Sequence, residues 1–177
     1  MRSRTLWITQ TAVLTALLIV LQAVTAAAGQ LVTGSCVNAV LAVAALQGGF
    51  WCGATVAVLS PFFAFFLGIG PKLIAIVPAI ALGNAVYVGL LCFLLRGKPT
   101  LFGKVIGWLG ASFGKFIVLY LVVVQLLCRV LPLKEPQVAT FSTMFSFPQL
   151  ITALIGGAVA LLVVPALKKA LKKDEIG

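Results

Sequence analysis

Long stretches without a charge set the strongest limit on what this chain can become. From Leu6 to Ala28 no residue is ionisable at neutral pH, and about 20 mostly apolar residues suffice to carry a helix across a bilayer. Of the 177 residues, 62% are apolar and 9% charged, whereas soluble domains are about half apolar and a quarter charged. The chain therefore reads as a single all-α integral membrane domain over residues 1–177, and a water-soluble globule is excluded. Arg2 and Arg4 before the first stretch and the small residues at its end imitate a signal peptide. The stretch outruns a signal's apolar region of about 7–15 residues, so it is expected to be the first membrane helix.

Breaks at charges, Gly/Pro clusters and turn dipeptides divide the chain into six segments, 5–28, 35–47, 49–67, 72–95, 104–130 and 148–171. The expected architecture is six transmembrane helices in one compact bundle, with short second and third helices. Thirteen residues in the second rise only about 20 Å. The outer connection 131–147 carries Pro132, Pro136 and three phenylalanines. It is expected either to cover a cavity or to dip its rings into lipid.

Cations fix the orientation, because cytoplasmic loops accumulate Lys and Arg. With the N-terminus inside, Arg2, Arg4, Arg96, Lys98, Lys104, Lys168, Lys169, Lys172 and Lys173 are cytoplasmic, against Lys72, Arg129 and Lys134 outside. Both termini are thus expected in the cytoplasm, with Trp7, Trp51 and Trp108 as anchors near that interface. The formal charge of +10 caps apolar runs rather than building an exposed basic face, so nucleic acid is not an expected partner.

There is no histidine, and the only acids are Glu135, Asp174 and Glu175. That removes nearly every general acid/base pair and most hard-metal or zinc sites, so no catalytic residue, no metal site, no enzyme activity and no resident cofactor is expected. Cys36, Cys52, Cys92 and Cys128 lack metal-ligand spacing and read as small buried thiols.

Lys115 is the most informative residue. A cation at mid-helix costs at least about 2.5–3.5 kcal/mol unless it finds a partner or water. Snorkelling to an interface is one solution. Otherwise its partner must be Glu135 from the outer connection, backbone carbonyls or an anionic ligand. At spacing seven, Lys115, Val122 and Arg129 share a stripe with Gln125 on its flank, a polar seam expected to face the interior. On the fourth segment Lys72 marks the outer end, Pro78 invites a kink, and Asn84 and Tyr87 lie one turn apart. Asn38, Gln30, Gln149 and Thr152 complete the polar set, as cavity lining or as interhelical glue. Gly103, Gly107, Gly110 and Gly114 form a smooth ridge on the fifth segment, and Ala12 and Ala16 bracket AVLTA on the first.

As a constellation, the A-x-x-x-A of the first segment, GSCVNAVLAVAALQGGFWCG, SPFFAFFLGIGPK and PAIALGNAVYV resemble the substrate-binding S components of energy-coupling factor (ECF) vitamin transporters. The resemblance covers most of the chain. It implies a multi-pass protein of a bacterial plasma membrane that captures a vitamin or related micronutrient in an outward-opening cavity. Such a protein docks on a transmembrane coupling subunit carried by two ATPases, with Ala12 and Ala16 at the contact. ATP would be used by those partners only; no phosphate-binding G-x-x-x-x-G-K-[ST] occurs here. Lys115, with Lys72 and Arg129 nearer the outside, favours an anionic, carboxylate-bearing ligand. Asn84, Tyr87, Asn38, Gln125 and Gln149 are the other candidate ligand contacts. Two other functions fit the composition: a stand-alone secondary carrier, although the usual intramembrane acid or histidine is missing, or a noncatalytic assembly subunit whose polar seam only joins helices.

Overall fold

The computed structural model describes residues 4–97 and 100–174. Of the cations used for orientation, Arg2, Lys98 and the side chains of Lys172 and Lys173 lie outside the described residues. Six long helices account for most of the chain: α1 (Arg4–Ala28), α2 (Gln30–Gly48), α3 (Phe50–Phe66), α4 (Ile74–Leu95), α5 (Leu101–Val130) and, after a short α6 (Glu135–Met144), α7 (Phe147–Asp174). Long apolar helices make this a multi-pass membrane protein. All but α3 are long and apolar enough to cross a bilayer, and α3 is a shorter apolar helix.

The helices close into a ring. Helix α1 packs on α2, α2 on α7, α7 on α5, α5 on α4, α4 on α3, and α3 back on α1, while α2 also touches α4 across the middle. Single glycines with positive φ, Gly29 (87°) and Gly49 (86°), separate α1 from α2 and α2 from α3. Only a residue without a Cβ adopts that conformation freely, so each helix pair is joined by a one-residue hinge.

Helix α2 starts five residues before the expected position. Gly34 lies within the helix, where a Cβ would come 2.9 Å from Thr152 Cγ2; it is a packing glycine, not a turn. Helix α2 ends in a π-helical turn, Ala44–Gly48, and its full length removes the shortfall. The supposed loop 131–147 contains α6. Pro136 occupies the first turn of α6, where a missing N–H leaves no helical bond unmade. Phe141 and Phe145 are buried against α4 and α5 while Phe147 is exposed, so the segment covers the bundle end with two of its three rings.

The glycine ridge of α5 packs internally. A Cβ on Gly107 would meet Leu95 Cδ1 at 2.7 Å and Leu94 O at 3.1 Å, and one on Gly110 would meet Leu94 Cδ1 at 3.1 Å. Small residues thus let α4 and α5 approach closely.

Candidate functional site

Lys115 stands inside the ring, 2% exposed. Its ammonium donates to Asn38 Oδ1 on α2 at 2.5 Å and to Asn84 Oδ1 on α4 at 2.7 Å, and lies 5.5 Å from the ring centroid of Tyr87. Neither snorkelling nor Glu135 solves the burial of this charge: amides from two neighbouring helices do. Hydrogen bonds to a charged group contribute about 1.5–3 kcal/mol each, enough together to offset the insertion cost, but they add no negative charge.

The Asn38 amide is itself oriented. Asn38 Nδ2 donates to Thr152 Oγ1 at 3.1 Å, and that hydroxyl donates to the Gln149 carbonyl at 3.2 Å. Tyr87 gives its hydroxyl proton to the Ala153 carbonyl at 2.9 Å, and Trp108 its indole N–H to the Leu154 carbonyl at 3.1 Å. Glycines on α7 allow this approach: a Cβ on Gly156 would sit 2.5 Å from Asn38 Cβ, and one on Gly157 would run into Trp108 and the Tyr87 hydroxyl.

Lys115, Asn38 and Asn84 form the floor of a cavity of about 300 Å³. The walls come from the late part of α1 and α3 and the early part of α2, α4 and α7, so the cavity lies at the bundle end away from Arg4. Ile69, Gly70 and Pro71 of the α3–α4 connection and Met144 and Phe145 at the end of α6 close over it. Two glutamines fasten that cover: Gln30 Nε2 donates to the Met144 carbonyl at 2.6 Å and Gln149 Nε2 to the same oxygen at 3.3 Å.

Among the described residues, no carboxylate lines the cavity. Two buried oxygens on its wall have no hydrogen-bond partner in the protein, Ser60 Oγ and Gln22 Oε1. Ser60 precedes Pro61, a helix-interior proline that has no N–H to offer the Ala57 carbonyl. An unpaired buried polar group costs about 1–3 kcal/mol. The cavity thus offers one ammonium and two unsatisfied polar contacts in a mostly apolar chamber, whose amides at Gln30, Asn38, Asn84 and Gln149 are already engaged in hydrogen bonds.

Of the expected contacts, Lys115, Asn38, Asn84 and Gln149 line the cavity, and so does Gln30; Tyr87 packs behind the ammonium without lining it. Lys72 and Arg129 are exposed and neither lines the cavity. Gln125 donates to the Tyr120 hydroxyl on its own helix at 2.9 Å. The expected seam breaks because Tyr120–Leu127 is π-helical. Its i→i+5 bonding widens each turn, so the spacing-seven stripe does not continue, and Val123 rather than Val122 is buried. Pro78 makes no kink either, since it stands in the first turn of an α-helical run that begins at Val77. Trp108, expected as an interfacial anchor, is instead tied into the bundle, while Trp51 is 73% exposed. All four thiols are free, but only Cys52 is fully buried.

Ser60, Gln22, Pro61 and Gly156 escaped the sequence reading. A Ser-Pro pair inside an apolar run and a glutamine alone on α1 were the available signals. Ala12 and Ala16 are exposed on α1, each next in sequence to a buried threonine, Thr11 and Thr15, whose hydroxyls donate to their own helix at Trp7 O (2.8 Å) and Thr11 O (2.7 Å). No family model, curated protein or solved structure matches the chain.

Proposed function

We propose that this protein is the substrate-capturing membrane subunit of an ECF-type importer. It takes a small anionic micronutrient, carboxylate-bearing and vitamin-like, into the Lys115 cavity from outside the cell and delivers it by docking on a coupling subunit driven by two partner ATPases. The observation that carries this reading is the Lys115 ammonium on the cavity floor, satisfied by two neutral amides and faced by no acid. A carboxylate about 4 Å away gains on the order of 4 kcal/mol at an effective dielectric of about 20, before its own desolvation is subtracted. Ser60 and Gln22 then offer hydrogen bonds to the polar remainder of the ligand, and the apolar walls to its ring or chain.

The described cations Arg96, Lys104, Lys168 and Lys169 gather at the end opposite the cavity, the pattern of a cytoplasmic face; in this reading both termini are cytoplasmic and the protein spans a bacterial plasma membrane. Exposed Ala12 and Ala16 offer a smooth strip for the coupling subunit, and ATP chemistry belongs to the partners. A stand-alone proton-coupled carrier would need a titratable acid beside the cargo, and the cavity lining contains none.

Mass spectrometry of small molecules retained through gentle detergent purification tests the reading. The expected result is a small organic acid in near-stoichiometric amount, whose affinity falls at least about fiftyfold in Lys115→Met, equivalent to about 2.3 kcal/mol. Retention of a neutral molecule with equal affinity in both proteins would refute it.

A further inference from the structure

A second recess opens at the opposite end of the bundle, among the C-terminal end of α4, the first turn of α5, the last part of α7 and the Gly49 hinge, with a volume of about 820 Å³. Arg96, Lys104 and Lys168 stand in it together, and among the described residues no carboxylate lines it. Below these cations the walls are apolar. On α4, Leu91 and Leu95 line it over about 6 Å of helix rise, and on α7 Leu161 and Val164 lie up to about 10 Å from Lys168. Phe93 and Leu162, on the same stretches of helix, are each 77% exposed at a depth where a spanning helix meets acyl chains.

From this combination we infer a binding site for one anionic phospholipid, its phosphate held by Arg96, Lys104 and Lys168 and the start of an acyl chain laid along Phe93, Leu95 and Leu161. Cations alone would serve a free phosphate, and apolar walls alone any lipid. Basic interhelical recesses at the end of a hydrophobic span suit acidic headgroups, and only a molecule with both parts uses both features. The recess shares no residue with the Lys115 cavity, so the inference stands whether or not that cavity holds a micronutrient.

The test is native mass spectrometry of the full chain released from nanodiscs containing equal amounts of phosphatidylglycerol and phosphatidylcholine with the same acyl chains. Phosphatidylglycerol is expected to remain bound with a preference of at least about tenfold, and R96Q/K104Q/K168Q is expected to abolish that preference. K72Q/R129Q/K134Q, which removes the same charge elsewhere, is expected to keep it. Leu161→Trp leaves every cation in place and is expected to weaken retention several-fold by filling the wall, which covers the case of a triple variant that does not fold. The inference is overturned if the triple variant keeps its preference, if the control loses it equally, if Leu161→Trp has no effect, or if excess inorganic phosphate displaces the lipid. Loss of the preference when a co-purifying protein occupies the recess would reassign it to a protein interface.

Discussion

The Lys115 cavity and the recess at the opposite end hold positive charge in opposite ways, although exposed Lys72 and Arg129 stand outside both. At one end a single ammonium is sealed among helices, held by Asn38 and Asn84 and 2% exposed. At the other, three cations surround an open recess; of these Arg96 and Lys168 are exposed and Lys104 is half-buried. A sealed charge interacts through few, directional contacts in a weakly screened interior, so its neighbours decide what it binds. Open charges act through number and proximity and answer to the ionic medium. The chain thus carries a selective site and a permissive one with the same kind of group.

Asn84→Ala should separate the two most sharply. Removing one of the two acceptors of a buried ammonium is expected to cost about 1.5–3 kcal/mol, a fall of about 3–10 °C in the thermal midpoint of the ligand-free protein. Arg96→Gln at the open end should leave that midpoint within about 1 °C. Equal shifts would mean that the ends do not differ in how they hold charge.

Next in size is the effect of bulk on α1, which contributes to neither cation cluster. Ala12→Leu combined with Ala16→Leu is expected to reduce uptake in cells at least about tenfold, equivalent to about 1.4 kcal/mol. Ligand affinity and phosphatidylglycerol retention should stay within about twofold, since the two sites share no wall with the substituted strip. Unaltered uptake would remove α1 from coupling.

Ionic strength gives the smallest and most diagnostic effect. Raising salt from about 0.05 to 0.5 M should weaken phosphatidylglycerol retention several-fold while changing ligand affinity at the Lys115 cavity less than about twofold. Both parameters are read on the same purified protein, by native mass spectrometry and by isothermal titration with the retained acid.

The bundle was legible because its determinants are local. Uncharged runs specify helices and cations specify their ends, so the third and sixth helices fell within a few residues of their expected places. Lys115 and both asparagines could also be singled out, since polar groups at depth in apolar helices stand out one by one. Their contact could not, because it is a long-range pairing of α2, α4 and α5, and no spacing within one helix encodes it. The false seam from Lys115 to Arg129 has a similar cause: a π segment changes the period that the seam assumes, and nothing in YLVVVQLL announces it. Pro136 misled because proline punctuates loops more often than it opens helices. Ser60 was passed over since a serine on an apolar helix normally bonds back to its own backbone, and here its oxygen has no partner.

Gly156 turns a steric fact into an electrical one. Because α7 has no side chain there, α2 lies close enough for Thr152 to hold the Asn38 amide with its oxygen toward Lys115. One methyl group at that crossing would push the two backbones apart and carry the amide away from the ammonium. The tolerance of position 156 to change is therefore governed by how a distant charge is solvated, and a close approach of two backbones shapes the potential inside a chamber that Gly156 does not line.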